Sequence, residues 1–252
     1  MIPSAIHQAA TLLSEAFRKE QWLEVLPKNM RPQSREDGYA VQRALVPMLG
    51  RVGGWKGGVS SETDEGMFSP VPASRVILSP GRLAFEIFNR PALEGEIGVI
   101  LAHDLPMREK PYSEKEISEA VASIHPVIEI IDSRFTNPDE LDEGHRIADL
   151  LLTGALIVGP AAPTWTRPAI KAPAVSVSVD GKGVRSVPQG GNFVSPLLVV
   201  SRLASHCARH GIQLKGGQII ATGNRSSPIV PMEANHKAVV RLGGIGEVSV
   251  RF

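Results

Sequence analysis

Residues 94–101 read Glu-Gly-Glu-Ile-Gly-Val-Ile-Leu, and residues 126–132 read Pro-Val-Ile-Glu-Ile-Ile-Asp. Both are short apolar runs between turn-forming segments, and that pattern predicts β-strands. Side chains alternate faces along a strand, so Glu94 and Glu96 project from one side, about two residues' rise apart. Glu129 stands inside a run apolar enough to be buried, where an ionised carboxylate is costly unless it is paired or bound to a metal. Three carboxylates sharing one ion would offer oxygen donors only, which suits Mg2+ or Mn2+ and leaves positions open for water or substrate oxygens. Two plainer readings stay open: Glu94 and Glu96 on the solvent face of a half-exposed strand, and Glu129 in a salt bridge to a basic residue such as Arg134.

Outward from these runs the same alternation predicts strands at Val76–Leu78, Leu83–Phe88, Ala155–Val158, Gln218–Ala221, Lys237–Leu242 and Glu247–Phe252. Val175-Ser-Val-Ser-Val179 followed by Asp180-Gly181 predicts a strand entering a tight hairpin turn. Helical spacing appears at Ile6, Ala9, Leu13, Ala16 and Phe17 behind a Ser4 cap, and again from Ser34 through Tyr39, Leu45 and Leu49 to Gly50. Ser113 and Glu116 form a capping box ahead of Ile117, Ala120, Val121 and Ile124, which predicts a helix ending at the His125-Pro126 junction. Phe193–His210 is helical in period and stops at Gly211. Without repeats or a Pro/Ser linker, the expectation is an α+β fold. Residues 1–50 form an N-terminal helical cap within the same unit, and residues 51–252 a β-rich catalytic domain.

The 252 residues carry 27 Lys plus Arg against 26 Asp plus Glu, a net charge of +1. No basic surplus is available to neutralise phosphates, which argues against a nucleic-acid partner and equally against a charged membrane surface. The uncharged stretch from Leu150 to Thr166 is broken by Gly154, Gly159, Pro160 and Pro163, far from the ~20 continuous apolar residues of a membrane span. With no secretory pattern at the start and Cys207 as the single cysteine, cytoplasmic residence is the expectation. Lys56 lies in Gly53-Gly-Trp-Lys-Gly-Gly-Val-Ser-Ser61, where glycines let the backbone approach a ligand closely and a carboxylate substrate could bind; an exposed loop lysine is the plainer alternative. The segment matches neither nucleotide-binding glycine motif. His206 and His210 are spaced for zinc but occupy the last turns of a helix, where cationic side chains favour the dipole. No G-x-S-x-G elbow is present, and Cys207 reads as packing.

Taken in order, the pieces G-W-K-G-G-V-S-S, E-G-E-I-G-V-I-L with A-H-D-L-P, H-P-V-I-E-I-I-D-S-R-F, I-A-D-L-L-L-T-G, L-K-G-G-Q-I-I-A-T-G and a terminal V-S-V-R-F span nearly the whole chain. The set resembles the 2-keto-4-pentenoate hydratase and 2-oxohex-3-enedioate (4-oxalocrotonate) decarboxylase group of the fumarylacetoacetate hydrolase superfamily. The resemblance implies a mixed β-roll core with flanking helices, a homo-oligomer, and Mg2+ or Mn2+ held by Glu94, Glu96 and Glu129. Lys56 matches the family's active-site lysine. The implied activity is that of a lyase on a small 2-oxo acid. A hydratase adding water to a short 2-hydroxydienoic acid in aromatic-compound catabolism comes first, a decarboxylase second, and a non-catalytic 2-oxo-acid-binding or structural paralogue third. A complex with a related hydratase or decarboxylase is also implied. Ser61 ends the lysine motif. The family's Asn-Ala-Ser-Ser-Gly is here Leu150-Leu-Leu-Thr-Gly154, which leaves Thr153 as its hydroxyl, and its Ser-Gly-Ser is Thr222-Gly-Asn224. Ser61, Thr153 and Asn224 are accordingly the expected substrate-binding residues. The family's acidic residue beyond the lysine falls in the shortened segment 63–70, where Asp64 or Glu65 stands in for it.

Overall fold

The computed structural model describes residues 1–19, 21–190, 193–226 and 228–252. In chain order the elements are α1 (Pro3–Lys19), α2 (Arg35–Leu49), β1 (Val52–Gly58), β2 (Met67–Pro72), β3 (Val76–Leu78), β4 (Gly81–Arg82), β5 (Ala92–Leu101), α3 (Glu114–Ala120), β6 (Val121–Ile131), α4 (Glu143–Ala148), β7 (Thr153–Val158), α5 (Arg167–Lys171), β8 (Val175–Val179), β9 (Lys182–Val187), α6 (Pro196–Arg209), β10 (Ile219–Asn224), β11 (Val230–Pro231), β12 (Lys237–Leu242) and β13 (Gly246–Arg251). The strands form two mixed sheets, one in the order β2-β1-β10-β5-β6-β7-β3 with β11 beside β5, the other in the order β4-β13-β12-β8-β9.

Strand parity assigns the two faces of the larger sheet. Leu93, Ile97, Ile128, Ile130 and Ile157 share the main apolar core with Val240, Val248 and Val250 of the smaller sheet. The opposite face carries Val71, Val127, Leu156, Ile219 and Ala221, and with them the glutamates at positions 94, 96 and 129. Gly95 separates the first two because a side chain there would lie 2.8 Å from Val240 Cγ1, inside the packed sheet interface. Helices α1 and α2 close a second cluster, in which Leu13, Val41 and Leu45 meet Phe135, Ala148 and Leu150.

The Ser34 cap, the Ser113–Glu116 capping box and the Asp180-Gly181 hairpin all form as the residues predict. Asp180 and Gly181 both take positive φ, +51° and +77°, which matches the twist of the flanking strands. Other boundaries move. The first helix begins at Pro3, so Ser4 lies inside it rather than capping it. The helix behind Ser113 stops at Ala120, and His125-Pro126 lies within β6 instead of marking a junction. Residues 121–131 pair with β5 over their whole length, and that ladder overrides the local helical period. Pro126 sits just past the last β6–β7 pair, Val127–Val158, where its missing N–H costs the ladder little. Leu83–Phe88 is not a strand. It forms a short 3₁₀ turn at Phe85–Ile87 that brings both Phe85 and Phe88 edge-on to Phe252, with centroids 6.0 and 5.7 Å away. Helix α6 starts at Pro196, not Phe193, since proline suits a first helical turn.

A buried ion pair fixes the connection from β6 to β7. Arg134 and Asp149, both under 5% exposed, are joined through Nε and Oδ1. The guanidinium also donates to the carbonyls of Asp149 and Thr153, while Ser133 Oγ donates to Asp149 over 2.8 Å. Immediately beyond lies a turn in which Leu150, Leu151 and Leu152 all have positive φ, from +50° to +61°. Left-handed backbone costs a leucine roughly 1 kcal/mol or more, so the surrounding bonds must hold the turn in place. We expect Arg134→Ala to lower the unfolding free energy by about 3 to 5 kcal/mol in urea titrations, because it strands a buried carboxylate. Arg134→Lys should recover only part, lacking the planar fork. A loss below about 1 kcal/mol for the alanine variant would refute the assignment.

Candidate active site

Register brings the acidic cluster together. Glu94 on β5 stands directly opposite Glu129 on β6, and Glu96 is paired with Val127, two residues from Glu129. Directly opposed and diagonal residues on one face of an antiparallel pair lie within side-chain reach. A carboxylate oxygen from each of the three lies within 4.8 Å of the others. Glu96 and Glu129 are buried and Glu94 partly so, which excludes the solvent-face reading. Burial, reinforced by the charge of Glu129, pushes the Glu94 carboxyl up to about 7. Glu96 is held well above the usual carboxylate range by burial and then by its two acidic neighbours.

Lys56 answers this charge, and it does so from a strand rather than a loop. It is 7% exposed on β1. Its ammonium is bonded to Glu129 and donates to the Leu151 carbonyl over 2.7 Å. Glu129 is therefore paired, but to Lys56; Arg134 is committed to Asp149. The strained leucine turn has a local consequence here, since it presents Leu151 O to the lysine.

At the end of β10 the register with β5 shifts between Ala221 and Asn224, and Gly223 takes φ +96°. Glycine adopts that conformation freely, and its N–H is turned onto Glu96, donating over 2.7 Å. Asn224 hydrogen-bonds Glu94, while its Oδ1 accepts from Ser226 N at 2.7 Å. Around the cluster lies a cavity of about 600 Å³, lined among others by Lys56, the three glutamates, Asn224, Asp64, Arg35, Phe193 and Arg225.

Of the expected substrate-binding residues, Asn224 lines this cavity and two do not. Ser61 is exposed in the β1–β2 loop, its hydroxyl 3.2 Å from Thr63 Oγ1. Thr153 is buried, and its hydroxyl is used internally to tie Leu150 O at 2.6 Å. Asp64 lines the cavity, but its carboxylate accepts from Ser60 and Gly66, which hold it down to about 2 and make it a weak base. Glu65 points elsewhere, 3.3 Å from Arg209. His206 is buried against Tyr39 and is held down to about 3, first by burial and then by His210, as suits a packed neutral ring. Burial likewise pushes the Cys207 thiol up to about 12.

The three carboxylates fit a hard divalent cation: the donor set is all oxygen, it is gathered away from water, and a single ammonium is the only cation bonded to it among the described residues. The arrangement also places a fixed positive charge beside the cluster, in a cavity large enough for a small organic acid.

Comparison with known proteins agrees with this architecture. A family model described as fumarylacetoacetate (FAA) hydrolase C-terminal matches residues 64–252. The 4-oxalocrotonate decarboxylase from Pseudomonas putida G7, solved with magnesium and adipate, superposes on 100% of this chain and 98% of its own at 22% identity, TM-score 0.86. For 2-hydroxyhepta-2,4-diene-1,7-dioate isomerase from Mycobacterium marinum the shares are 79% and 75% at 15% identity, TM-score 0.60. For fumarylpyruvate hydrolase from Pseudomonas aeruginosa, in complex with Mn2+ and pyruvate, they are 78% and 87% at 16% identity, TM-score 0.54.

Two variants separate stability from ion binding. Glu96→Gln relieves the repulsion of a buried carboxyl that has no ion-pair partner among the described residues and should hold or slightly raise stability in chelator-treated protein, whereas Glu129→Ala strands the Lys56 ammonium and should cost about 3 kcal/mol. Both should abolish Mn2+ binding in calorimetric titrations. Undiminished Mn2+ affinity in Glu96→Gln would remove that residue from the cluster's function.

Proposed function

The chain belongs to the fumarylacetoacetate hydrolase C-terminal family, and from that premise we propose that it is a divalent-metal-dependent lyase acting on a small 2-oxo or 2-hydroxydienoic acid. The observation that carries the proposal is the convergence of Glu94, Glu96 and Glu129 with Lys56 at the floor of one cavity. A bound Mg2+ or Mn2+ would supply Lewis-acid polarisation of the substrate's 2-oxo group. The three glutamates hold that ion. Lys56, fixed by Glu129 and Leu151 O, offers an ammonium to the substrate carboxylate or to negative charge developing on oxygen. Asn224, fixed by Ser226, orients Glu94. The cavity walls, including Phe193, Val194 and Val199, limit water around the carbon chain.

Hydration of a short dienoic acid is the preferred reaction: a proton delivered to the remote carbon turns the dienol into a conjugated 2-oxo-enoate, and water then adds across its activated double bond, with no carbon–carbon bond broken. Decarboxylation is the second reading, supported by the likeness to the P. putida decarboxylase over the full chain, N-terminal helices included. Purified protein with Mn2+ should convert 2-hydroxypenta-2,4-dienoate to its hydrated product. Carbon dioxide release from 2-oxohex-3-enedioate instead selects the second reading, and turnover of neither overturns the lyase assignment.

Lys56→Ala should lower kcat at saturating Mn2+ about 30- to 1,000-fold, on the order of 2 to 4 kcal/mol, with no borohydride-trapped adduct in the native enzyme. Full activity in the variant takes the lysine out of the mechanism, and a trapped adduct shows a Schiff base instead. The family also implies a homo-oligomer, so light scattering at micromolar concentration should give a multiple of the 27.0 kDa chain mass.

A further inference from the structure

Where α2, α6 and the β1–β2 pair meet, they leave a second cavity, of about 290 Å³. Trp55 on β1 and its cross-strand partner Pro70 on β2 form one wall, and Val46, Val52 and Ile212 supply further apolar surface. Lys56, the next residue on β1, turns its side chain the other way, to Glu129. The cavity and the glutamate cluster therefore lie on opposite faces of β1, although α6 borders both, through His206 here and Val199 there.

Most polar groups lining this second cavity are already engaged. Arg43 donates to His210 Nδ1 at 2.7 Å and to Glu36 at 2.9 Å, Gln42 donates to Ile147 O at 2.9 Å, and Trp55 Nε1 donates to Gln218 at 3.1 Å. His206 is the exception. It is 4% exposed, its ring packs 4.6 Å from the Tyr39 ring and 5.6 Å from that of Phe68, and neither of its nitrogens has a hydrogen-bond partner among the described residues. Burial and the positive groups around it, His210, Arg209 and Arg43, keep the ring neutral. A neutral imidazole has one N–H to give and one bare nitrogen to accept, and leaving both unused in an enclosed place is costly.

These features define the missing partner. A carboxylate would enter apolar surroundings and find the one guanidinium there already paired with Glu36, so an anion is disfavoured. A hydroxyl meets either nitrogen of His206, donating to the bare one or accepting from the N–H. Flat apolar walls formed by Trp55 and Pro70 suit a planar ring. An apolar cavity of about 150 Å³ accommodates one benzene, so the space here takes a single substituted ring.

We propose that this cavity is a second small-molecule site, separate from the glutamate cluster, that takes a neutral one-ring phenol whose hydroxyl hydrogen-bonds His206 and whose ring lies against Trp55 and Pro70. The inference does not depend on the lyase reading.

The test is a ligand-observed NMR titration of Mn2+-loaded protein with p-cresol and with toluene, which share the ring and methyl group and differ in the hydroxyl. Native protein should bind p-cresol with a Kd on the order of 0.1 to 1 mM, about 10-fold more tightly than toluene. His206→Phe, which keeps a ring and removes both nitrogens, should erase that preference and leave toluene binding within about twofold. Val46→Phe fills the space and should weaken both ligands at least about 10-fold, with Mn2+ affinity unchanged. Failure of native protein to bind p-cresol, or equal affinities for the two ligands, overturns the proposal whether or not the variants fold. So does undiminished p-cresol binding in Val46→Phe, which would place the ligand elsewhere, and so does a preference for p-cresol that survives His206→Phe, which would remove the histidine from recognition.

Discussion

Placing Glu94 directly across from Glu129, with Glu96 on the diagonal, sets three carboxylates on one sheet face where burial makes their charge costly. Every neighbouring feature answers that cost. Lys56 pairs with Glu129, the Gly223 N–H is turned onto Glu96, and Asn224 bonds Glu94. The register is in turn secured from the opposite face, where Leu93, Ile97, Ile128 and Ile130 interlock with the smaller sheet; a one-residue slip would send the glutamates into that core. Stability and site geometry thus depend on the same ladder.

A second layer of support runs through the β6–β7 connection. The Arg134–Asp149 pair holds a leucine turn in left-handed conformation, and that turn delivers the Leu151 carbonyl to Lys56. The N-terminal helices pack against Phe135, Ala148 and Leu150, which flank the same connection. Strain stored near the cavity is therefore confined by packing from a part of the chain that contributes little to the cavity wall beyond Arg35.

The remaining polar residues of the interior divide by their partners. His206 sits neutral against Tyr39, and Cys207 is an inert apolar filler. Among the described residues no helix is long and apolar enough to cross a membrane. Arg225 stands apart as a buried cation whose surroundings satisfy it incompletely at the cavity wall. That contrast with Arg134 is one of partners, not of exposure.

Local chemistry made much of this legible in the residues alone. Alternation placed Glu94 and Glu96 on one face, an apolar run flagged Glu129 as a costly buried acid, and Ser34, Ser113 and Asp180-Gly181 marked their caps and turn, since each depends on neighbours within a few positions. What depends on distant partners stayed hidden. The β5–β6 ladder converted the predicted end of the third helix into strand. Lys56 became a buried strand residue bonded to Glu129, 73 positions away. Thr153 turned its hydroxyl to Leu150 O instead of the cavity, Ser61 stayed at the surface, and nothing local marked Arg225, whose buried Nε lacks an acceptor only because of how the fold surrounds it. Sequence determines which groups are available and which faces they share; only tertiary packing decides which charges are paired and which is left open, because pairing is a matter of distance between residues remote along the chain.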